Sequence, residues 1–122
     1  MILKKLPYNF SVCKVKALSL SETEKPFTFT AVTDEEISLV CITENVPETV
    51  LCRSDGWRAF KIDGTLDFSL IGIMSKITTL LAENGIGIFA VSTYNTDYFF
   101  VKEENFSSAL TVLEGNGYEI KS

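Results

Sequence analysis

The second half of the chain constrains the fold most, because its apolar pattern specifies an ordered set of strands and helices. Residues 57–63 alternate between apolar and polar side chains, as in a strand, and residues 70–84 have helical spacing. Two strand-like segments, a helical segment and a last short strand follow, at residues 86–93, 96–102, 103–114 and 117–121. This order predicts an α+β fold, a ferredoxin-like βαββαβ sandwich.

The first helix of this half has the clearest core face. Six apolar residues recur along it at helical spacing: Leu70, Ile73, Met74, Ile77, Leu80 and Leu81. Asp67 or Ser69 can accept the free N–H groups of the first turn, and Gly85 can end the helix in the left-handed conformation. We expect this apolar face to pack on the sheet.

The first half shows a less complete pattern. Alternation predicts strands at residues 10–18, 27–33 and 37–42, with a short helical segment after Thr43. The polar stretch at residues 19–26 predicts a loop where a complete unit has a helix. Ser54-Asp55-Gly56 is a turn signal. The sequence therefore predicts a degenerate subdomain at residues 1–56 and a complete domain at residues 57–122.

An internal repeat supports this division. Phe29-Thr-Ala-Val-Thr33 and Ile37-Ser-Leu-Val40 resemble Phe89-Ala-Val-Ser-Thr93 and Tyr98-Phe-Phe-Val101, about sixty residues later, with a small gap in the turn. The first half then has the pattern of a second copy that lacks its first helix. A second copy can cover the sheet surface that a single βαββαβ unit leaves open.

Composition excludes several classes of partner. The net charge is −5, and neither half has a basic stripe, since residues 1–60 carry 7 basic and 8 acidic groups and residues 61–122 carry 4 and 8. Nucleic acid and membrane partners are therefore not expected. No apolar run approaches the roughly 18 residues of a membrane span, and no signal peptide is expected.

The three cysteines predict reduced thiols in a cytoplasmic protein. Cys13, Cys41 and Cys52 have no paired spacing, and the chain contains no histidine. Neither a metal site nor a cofactor is therefore expected. No known catalytic motif is present, and the acidic pairs Glu35-Glu36 and Glu103-Glu104 lie at predicted turns, where carboxylates are usually solvated. We expect the protein not to be an enzyme.

Two segments of the sequence have features of a binding site. The strand Tyr98-Phe-Phe-Val-Lys102 has aromatic residues where RNA-binding βαββαβ domains carry them, but the flanking glycine and basic residues of those domains are absent. A helix terminus fits better. The connection at residues 63–72 would present free N–H groups and the positive end of a helix dipole to a carboxylate, and Gly72, predicted in the first turn, leaves space for close approach.

The segments Leu66-Asp-Phe-Ser-Leu-Ile-Gly-Ile73 and Leu81-Ala-Glu-Asn-Gly-Ile-Gly-Ile-Phe-Ala-Val-Ser-Thr-Tyr-Asn-Thr-Asp-Tyr98 resemble the ACT-domain family. The resemblance is to ACT modules of aspartate kinases and of CASTOR-like arginine sensors, and to small proteins with two such modules. It implies a regulatory, allosteric sensor that holds an amino acid between ACT units. A homodimer with sheets joined edge to edge is expected separately, because half-units leave an edge strand open. The ligand-binding residues that the resemblance implies are Leu66, Asp67, Phe68, Ser69, Leu70, Ile71, Gly72, Ser92, Thr93, Tyr94, Asn95 and Asp97.

Asp67 is expected to face the ammonium or a basic side chain of the ligand, or else simply to cap the helix. First-turn N–H groups near Ser69 and Leu70 are expected to hold the ligand carboxylate. The alternative function is a protein-interaction module that pairs with other ACT-bearing proteins and binds no metabolite.

Overall fold

The computed structural model describes residues 1–64 and 72–122. They form two compact units: a larger unit of Met1–Pro7 and Arg58–Ser122, and a smaller unit of Tyr8–Trp57. Helices long and apolar enough to cross a membrane are absent from the described residues. The predicted domain boundaries stay a prediction.

Eight strands and three helices occur in the described residues. In chain order they are β1 (Ile2–Lys5), β2 (Phe10–Val15), α1 (Leu20–Thr23), β3 (Phe29–Val32), β4 (Ile37–Ile42), β5 (Cys52–Ile62), α2 (Ile73–Glu83), β6 (Ile88–Ser92), β7 (Asp97–Lys102), α3 (Phe106–Glu114) and β8 (Glu119–Lys121). Single 3₁₀ turns follow β4 and β7, at Thr43–Asn45 and Glu103–Asn105. Strand β5 contributes residues 52–57 to the smaller unit and residues 58–62 to the larger unit.

The larger unit confirms the ferredoxin-like α+β prediction. Its strands are ordered β8–β1–β5–β7–β6, and α2 and α3 connect them in the βαββαβ sequence. Strand β1, for which the sequence pattern predicted no strand, lies between β5 and β8. Its run of four residues is too short to show a clear alternation, so its place in the sheet depends on long-range pairing.

One hydrophobic core holds the larger unit together. Leu81 and Ile77 of α2 are fully buried against strand residues such as Phe60 and Phe99, as the helical spacing predicted. The rings of Phe60 and Phe99 stack with centroids 5.2 Å apart. Ala109 of α3 is also fully buried in this core. It is one of three α3 residues buried in this core, together with Phe106 and Leu113.

The smaller unit orders its strands β3–β4–β2–β5 and has its own core, which contains Cys13, Val15, Leu39 and Cys41. The prediction of a loop at residues 19–26 was wrong in part, because α1 lies within it. The backbone N–H of Ser19 donates to Glu22 Oε1 at 3.0 Å, which satisfies one free donor at the start of α1. None of its residues is buried.

The prediction of a turn at Ser54-Asp55-Gly56 was wrong, because these residues lie inside β5. Between Phe10 and Val12 of β2 the register with β5 shifts by one residue, which makes a β-bulge. Gly56 has φ +81°, a left-handed conformation that glycine adopts without strain. The buried Ser11 hydroxyl donates to Asp55 Oδ1 at 2.6 Å. The Asp55-Gly56 pair, which the sequence pattern assigned to a turn, is therefore part of a β-bulge within β5.

The two units have similar element bounds about sixty residues apart. Strand β3 runs from Phe29 to Val32, and β6 runs from Ile88 to Ser92. The bounds of β4 and β7 differ by sixty residues at both ends, and so do those of the two 3₁₀ turns. The gap that the sequence match placed in the turn is absent, because Ile37 corresponds to Asp97 rather than to Tyr98.

Candidate functional site

Helix α2 begins in the larger unit with Gly72 as its N-cap residue. Gly72 has φ +80°, so it precedes the helix, and its predicted place in the first turn was wrong because a left-handed residue cannot continue a helix. A Cβ atom built at Gly72 would meet no atom within 4 Å. The left-handed backbone conformation, rather than a lack of space, therefore explains why this residue is glycine.

The first turn of α2 has backbone donors that receive no partner from the helix itself. The N–H of Lys76 donates to the carbonyl of Gly72 at 2.9 Å and makes the first bond of the helical ladder. The amides of Ile73, Met74 and Ser75 come before that bond, so they need partners outside the helix. Together with the helix dipole they favour an anionic group at this end.

An open depression of about 470 Å³ lies beside this helix end. The described residues that line it are Gly72, Ile73, Met74, Ser75, Thr78 and Asp97. Asp97 is the first residue of β7 and shares a strand face with Phe99 and Val101, which belong to the core under the helices. Its side chain therefore lies on the helix side of the sheet, and it is half-buried. The volume lies within the range of small-molecule sites.

Asp97 is the one ionisable residue among the described residues that line this depression. Among the described residues, the structure gives its carboxylate no hydrogen bond and no ion pair. A half-buried carboxylate without a cation or donor is unfavourable compared with a solvated one. A positively charged group that entered the depression would remove that cost.

The turn between β6 and β7 is held by two threonines. The N–H and Oγ1 of Thr93 both donate to the carbonyl of Thr96, at 2.8 and 3.0 Å. The buried Thr96 hydroxyl donates to the carbonyl of Ile62 at 2.9 Å and ties the turn to the end of β5. The Thr93 side chain thus supports the turn, and Asp97 follows it at a defined position.

The predicted site residues fall into three groups. Gly72 and Asp97 line the same depression. Ser92 and Asn95 are exposed, Thr93 is half-buried in the turn, and the Tyr94 side chain is 82% exposed. The remaining predicted residues lie outside the described part of the chain: Leu66, Asp67, Phe68, Ser69, Leu70 and Ile71.

Sequence reasoning missed the part that α2 itself plays in lining the depression. Ser75 and Thr78 border it, together with Met74. The Thr78 hydroxyl is within donating distance of the carbonyls of Met74 and Ser75, at 3.0 and 3.1 Å, so its oxygen can still accept a bond. The sequence signal for this role is the pair Ser75 and Thr78, two small polar residues that lie three positions apart beside the apolar face of the helix.

A second, smaller depression of about 260 Å³ lies on the other side of the same helix end. Lys76 and Tyr118 line it, and the Lys76 ammonium is 5.9 Å from the centre of the Tyr118 ring. Burial raises the pKa of Tyr118, so its phenol is neutral at physiological pH. Gly72 borders both depressions.

Two of the three thiols of the smaller unit, those of Cys13 and Cys41, have low reactivity. All three cysteines are free, and Cys13 and Cys41 are buried. Burial raises the pKa of Cys13 and raises that of Cys41 to about 11, so both are protonated at neutral pH and are poor nucleophiles. In residues 1–64 and 72–122, no three metal-ligating side chains lie close enough together to hold an ion.

The fold of the larger unit and the depression at the start of α2 define a ferredoxin-like α+β module with an open site at a helix end. The sequence matches the ACT domain family over residues 53–115, which is more than half of the chain. The chain therefore belongs to the ACT domain family. ACT domains are regulatory, typically bind amino acids and form oligomers.

Solved structures share this fold. A protein of Agobacterium tumefaciens, Atu0741, has 29% sequence identity and a TM-score of 0.87, over 98% of this chain and 90% of its own. VC0802 of Vibrio cholerae, a protein of unknown function described as a possible transport protein, has 24% identity and a TM-score of 0.71, over 91% and 85% of the two chains.

The regulatory subunit of aspartate kinase from Thermus thermophilus has 8% identity and a TM-score of 0.64, over 93% of this chain and 95% of its own. At this identity, as for VC0802, the likeness concerns the fold alone. A comparison with curated proteins found no match.

Proposed function

We propose that the protein is a non-catalytic regulatory sensor that binds an amino acid at the N-terminal end of α2. The observation that carries the proposal is the half-buried Asp97 carboxylate, which lines the depression of about 470 Å³ and has no partner among the described residues. Membership of the ACT domain family supports the same reading. An α-amino acid supplies the ammonium that Asp97 lacks and a carboxylate for the free amides of the first turn.

The proposal gives each polar group a role. Asp97 binds the ligand ammonium, and the amides of Ile73 and Met74 hold the ligand carboxylate. Thr78 accepts a bond from the ligand side chain, and Ser75 accepts or donates one. Asp67, Ser69 and Leu70 stay proposed as further ligand contacts, although the first-turn amides belong to Ile73, Met74 and Ser75 because Gly72 is the N-cap residue of α2.

The test is a thermal-shift screen against the twenty amino acids, followed by calorimetry on those that respond. A ligand at about 100 times its dissociation constant adds roughly 2.7 kcal/mol, which raises the midpoint by several degrees in a protein of this size. Asp97→Asn removes the charge at nearly constant shape. We expect it to weaken binding at least tenfold, because a charge-assisted bond contributes about 1.5–3 kcal/mol.

Asp34→Asn is the matched control, since Asp34 is an exposed residue of the corresponding turn in the smaller unit. N-acetylated amino acid provides a second arm. It lacks the ammonium, so it should bind weakly to the natural protein and equally weakly to the Asp97→Asn variant. Full affinity of Asp97→Asn for the free amino acid would overturn the assignment of the ammonium to Asp97.

A tandem arrangement completes the proposal. The smaller unit is a degenerate ACT-like copy of the larger one, as the matching strand, turn and 3₁₀ bounds at sixty-residue separation support. Its helix α1 has four residues where α2 has eleven. The smaller unit therefore lacks the long helix on which the proposed site depends. The likeness to the CASTOR-like branch is part of this proposal, and so is a cytoplasmic location, which the three free thiols support.

Dimer formation follows from an edge strand. Strand β6 ends the strand order of the larger unit, and β7 is its only partner among the described strands. Its residues Ile88, Phe89, Ala90 and Val91 carry no charge and are half-buried. Edges of this kind pair with other strands. We propose a homodimer through β6, with the amino acid held near the interface.

The second candidate function, a protein-interaction module without a metabolite, rests on the same edge strand. Val91→Lys places a charge on β6 and should convert dimer to monomer in light scattering. If that variant also loses amino-acid binding, the site needs the dimer. If the natural protein forms a dimer and no amino acid shifts its midpoint at millimolar concentrations, the interaction module is favoured.

A further inference from the structure

The sheet of the larger unit carries three lysines side by side on the face away from its helices. The register pairs Lys4 of β1 directly with Lys61 of β5 and with Lys121 of β8. We call Lys4, Lys61 and Lys121 the lysine rung. Neighbouring strands are about 4.8 Å apart, so the rung spans about 10 Å across the sheet.

Strand alternation places all three lysines on the same face. Leu3, Ile62 and Ile120 belong to or pack against the core under the helices. Each is the sequence neighbour of one lysine of the rung, so the lysines lie on the opposite face. Asp97 lies on the helix side, so the lysine rung and the proposed amino-acid site occupy different faces of the sheet.

The rung is unfavourable for the protein alone. Like charges directly opposite each other destabilise a sheet, and here two such pairs share Lys4. Lys4 and Lys61 are half-buried, which limits the water that screens them. The larger unit has seven basic residues, and three of them are in this rung.

Two carboxylates face the rung, and they do not balance it. Asp63 Oδ2 accepts a bond from Lys121 Nζ at 3.1 Å, and Glu119 lies on the same face beside Ile2. The hydrogen bond from Lys121, followed by the charges of Lys121, Lys4 and Lys61, lowers the pKa of Asp63. All three lysines of the rung therefore lie close enough to the Asp63 carboxylate to stabilise its negative charge. Among the described residues, Lys4 and Lys61 have no ion pair of their own.

We propose that the lysine rung binds a small oligoanion, with phosphate or carboxylate groups spaced to meet two or three ammonium groups. The spacing suits a phosphate chain of two or three units. The ring of Tyr98, whose centre is 5.8 Å from Lys61 Nζ, borders the rung and adds a flat surface. A ligand of this class would offset the repulsion that the sheet carries in its absence.

Inorganic triphosphate is the probe, titrated into the whole protein by calorimetry at low and at moderate salt. We expect saturable binding that weakens between about 50 and about 200 mM salt, since the contacts are ionic. Lys4→Gln removes the central charge and should weaken triphosphate binding at least tenfold. The same variant should raise the melting temperature of the ligand-free protein, because it removes both like-charge pairs.

Lys14→Gln is the matched control. Lys14 is an exposed strand lysine of the smaller unit, and its two cross-strand neighbours, Ser38 and Cys52, are neutral. It should change neither triphosphate affinity nor melting temperature appreciably. Equal losses of affinity in Lys4→Gln and Lys14→Gln would mean non-specific attraction and would overturn the proposal, as would the absence of saturable binding at low salt.

Two further arms distinguish the source of the anion. A nucleoside triphosphate that binds like inorganic triphosphate shows that the charges alone are recognised, whereas tighter binding shows that Tyr98 or its surroundings contact the base. Both results support the rung. Binding of single-stranded RNA without any binding of either triphosphate would overturn a small-molecule site.

Discussion

The β6–β7 turn of the larger unit and the β3–β4 turn of the smaller unit share a framework but differ in what they carry. In both, a threonine N–H and hydroxyl bond the carbonyl three residues on: Thr93 to Thr96, and Thr33 to Glu36. After that framework the larger unit has a half-buried aspartate, Asp97, where the smaller unit has Ile37. The two turns thus share a hydrogen-bonded scaffold and differ in the side chain that follows it. A site inferred from the repeat alone would have been placed in both units.

The two helices show the same contrast in packing. Helix α2 buries Ile77 and Leu81 completely, whereas α1 buries none of its residues and leaves Leu20 77% exposed. Helix stability in proteins comes mainly from packing of an apolar face. Helix α2 can therefore hold a site at its end, and α1 has no comparable anchor.

The largest effect should come from truncating one leucine in each helix. Leu81→Ala leaves a cavity in the core of the larger unit and should lower the free energy of unfolding by about 2–5 kcal/mol. Leu20→Ala removes a side chain that is already mostly in solvent, and it should change stability by less than about 0.5 kcal/mol. Urea unfolding followed by circular dichroism measures both. Similar losses in the two variants would contradict the difference in packing described above.

A smaller effect should come from the turns. Thr96→Val removes the hydroxyl that donates to the Ile62 carbonyl and leaves a buried acceptor unsatisfied, at a cost of about 1–3 kcal/mol. Its counterpart in the smaller unit, Glu36, is exposed. We therefore expect Glu36→Gln to cost less than about 0.5 kcal/mol.

Thr96→Val should also weaken amino-acid binding, since Thr96 immediately precedes Asp97. Calorimetry on the folded variant at low temperature separates this effect from the loss of stability. A variant that is less stable but binds with unchanged affinity would show that the turn does not position Asp97.

The helices and most strands of the larger unit could be predicted from the sequence, because their apolar residues follow one period over many residues. The order of those elements then limited the fold to few choices. Strand β1 could not be predicted in this way. Its four residues acquire meaning only from pairing with β5 and β8, which lie far away in the sequence.

The candidate sites also differ in how far the sequence predicts them. Gly72 and Asp97 were predicted from a family resemblance, and the structure brings them to one depression. The parts played by Ser75 and Thr78 depend on how α2 is rotated over the sheet, which sequence spacing alone does not define. The lysine rung is an extreme case, since Lys4, Lys61 and Lys121 meet only through strand register. Because these three lysines lie far apart in the sequence, the charge count of each half did not reveal the cluster and predicted no basic surface.

The smallest effect concerns Asp63, the carboxylate that contacts the lysine rung. Its effect on stability is compared with that of Asp34, an exposed carboxylate of the smaller unit. The pKa of Asp63 is lowered in the folded protein, chiefly by the hydrogen bond from Lys121. A carboxyl group with a lowered folded pKa stabilises the protein above its unfolded pKa of about 3.9 and loses that contribution as the pH falls through the folded value. Asp63→Asn should therefore lower the melting temperature at neutral pH and have little effect in strong acid.

Asp34→Asn serves as the control, because Asp34 is exposed and has no ion pair among the described residues. Melting curves from neutral to strongly acidic pH should show the difference between the natural protein and Asp63→Asn shrinking as pH falls, with no such trend for Asp34→Asn. Added salt should reduce the difference as well, since the pair is partly solvated. Asp63→Asn also leaves the three lysines without their nearest carboxylate, so it should tighten triphosphate binding. A variant that loses stability at neutral pH but binds triphosphate no more tightly would show that Asp63 acts only on Lys121 and not on the rung as a whole.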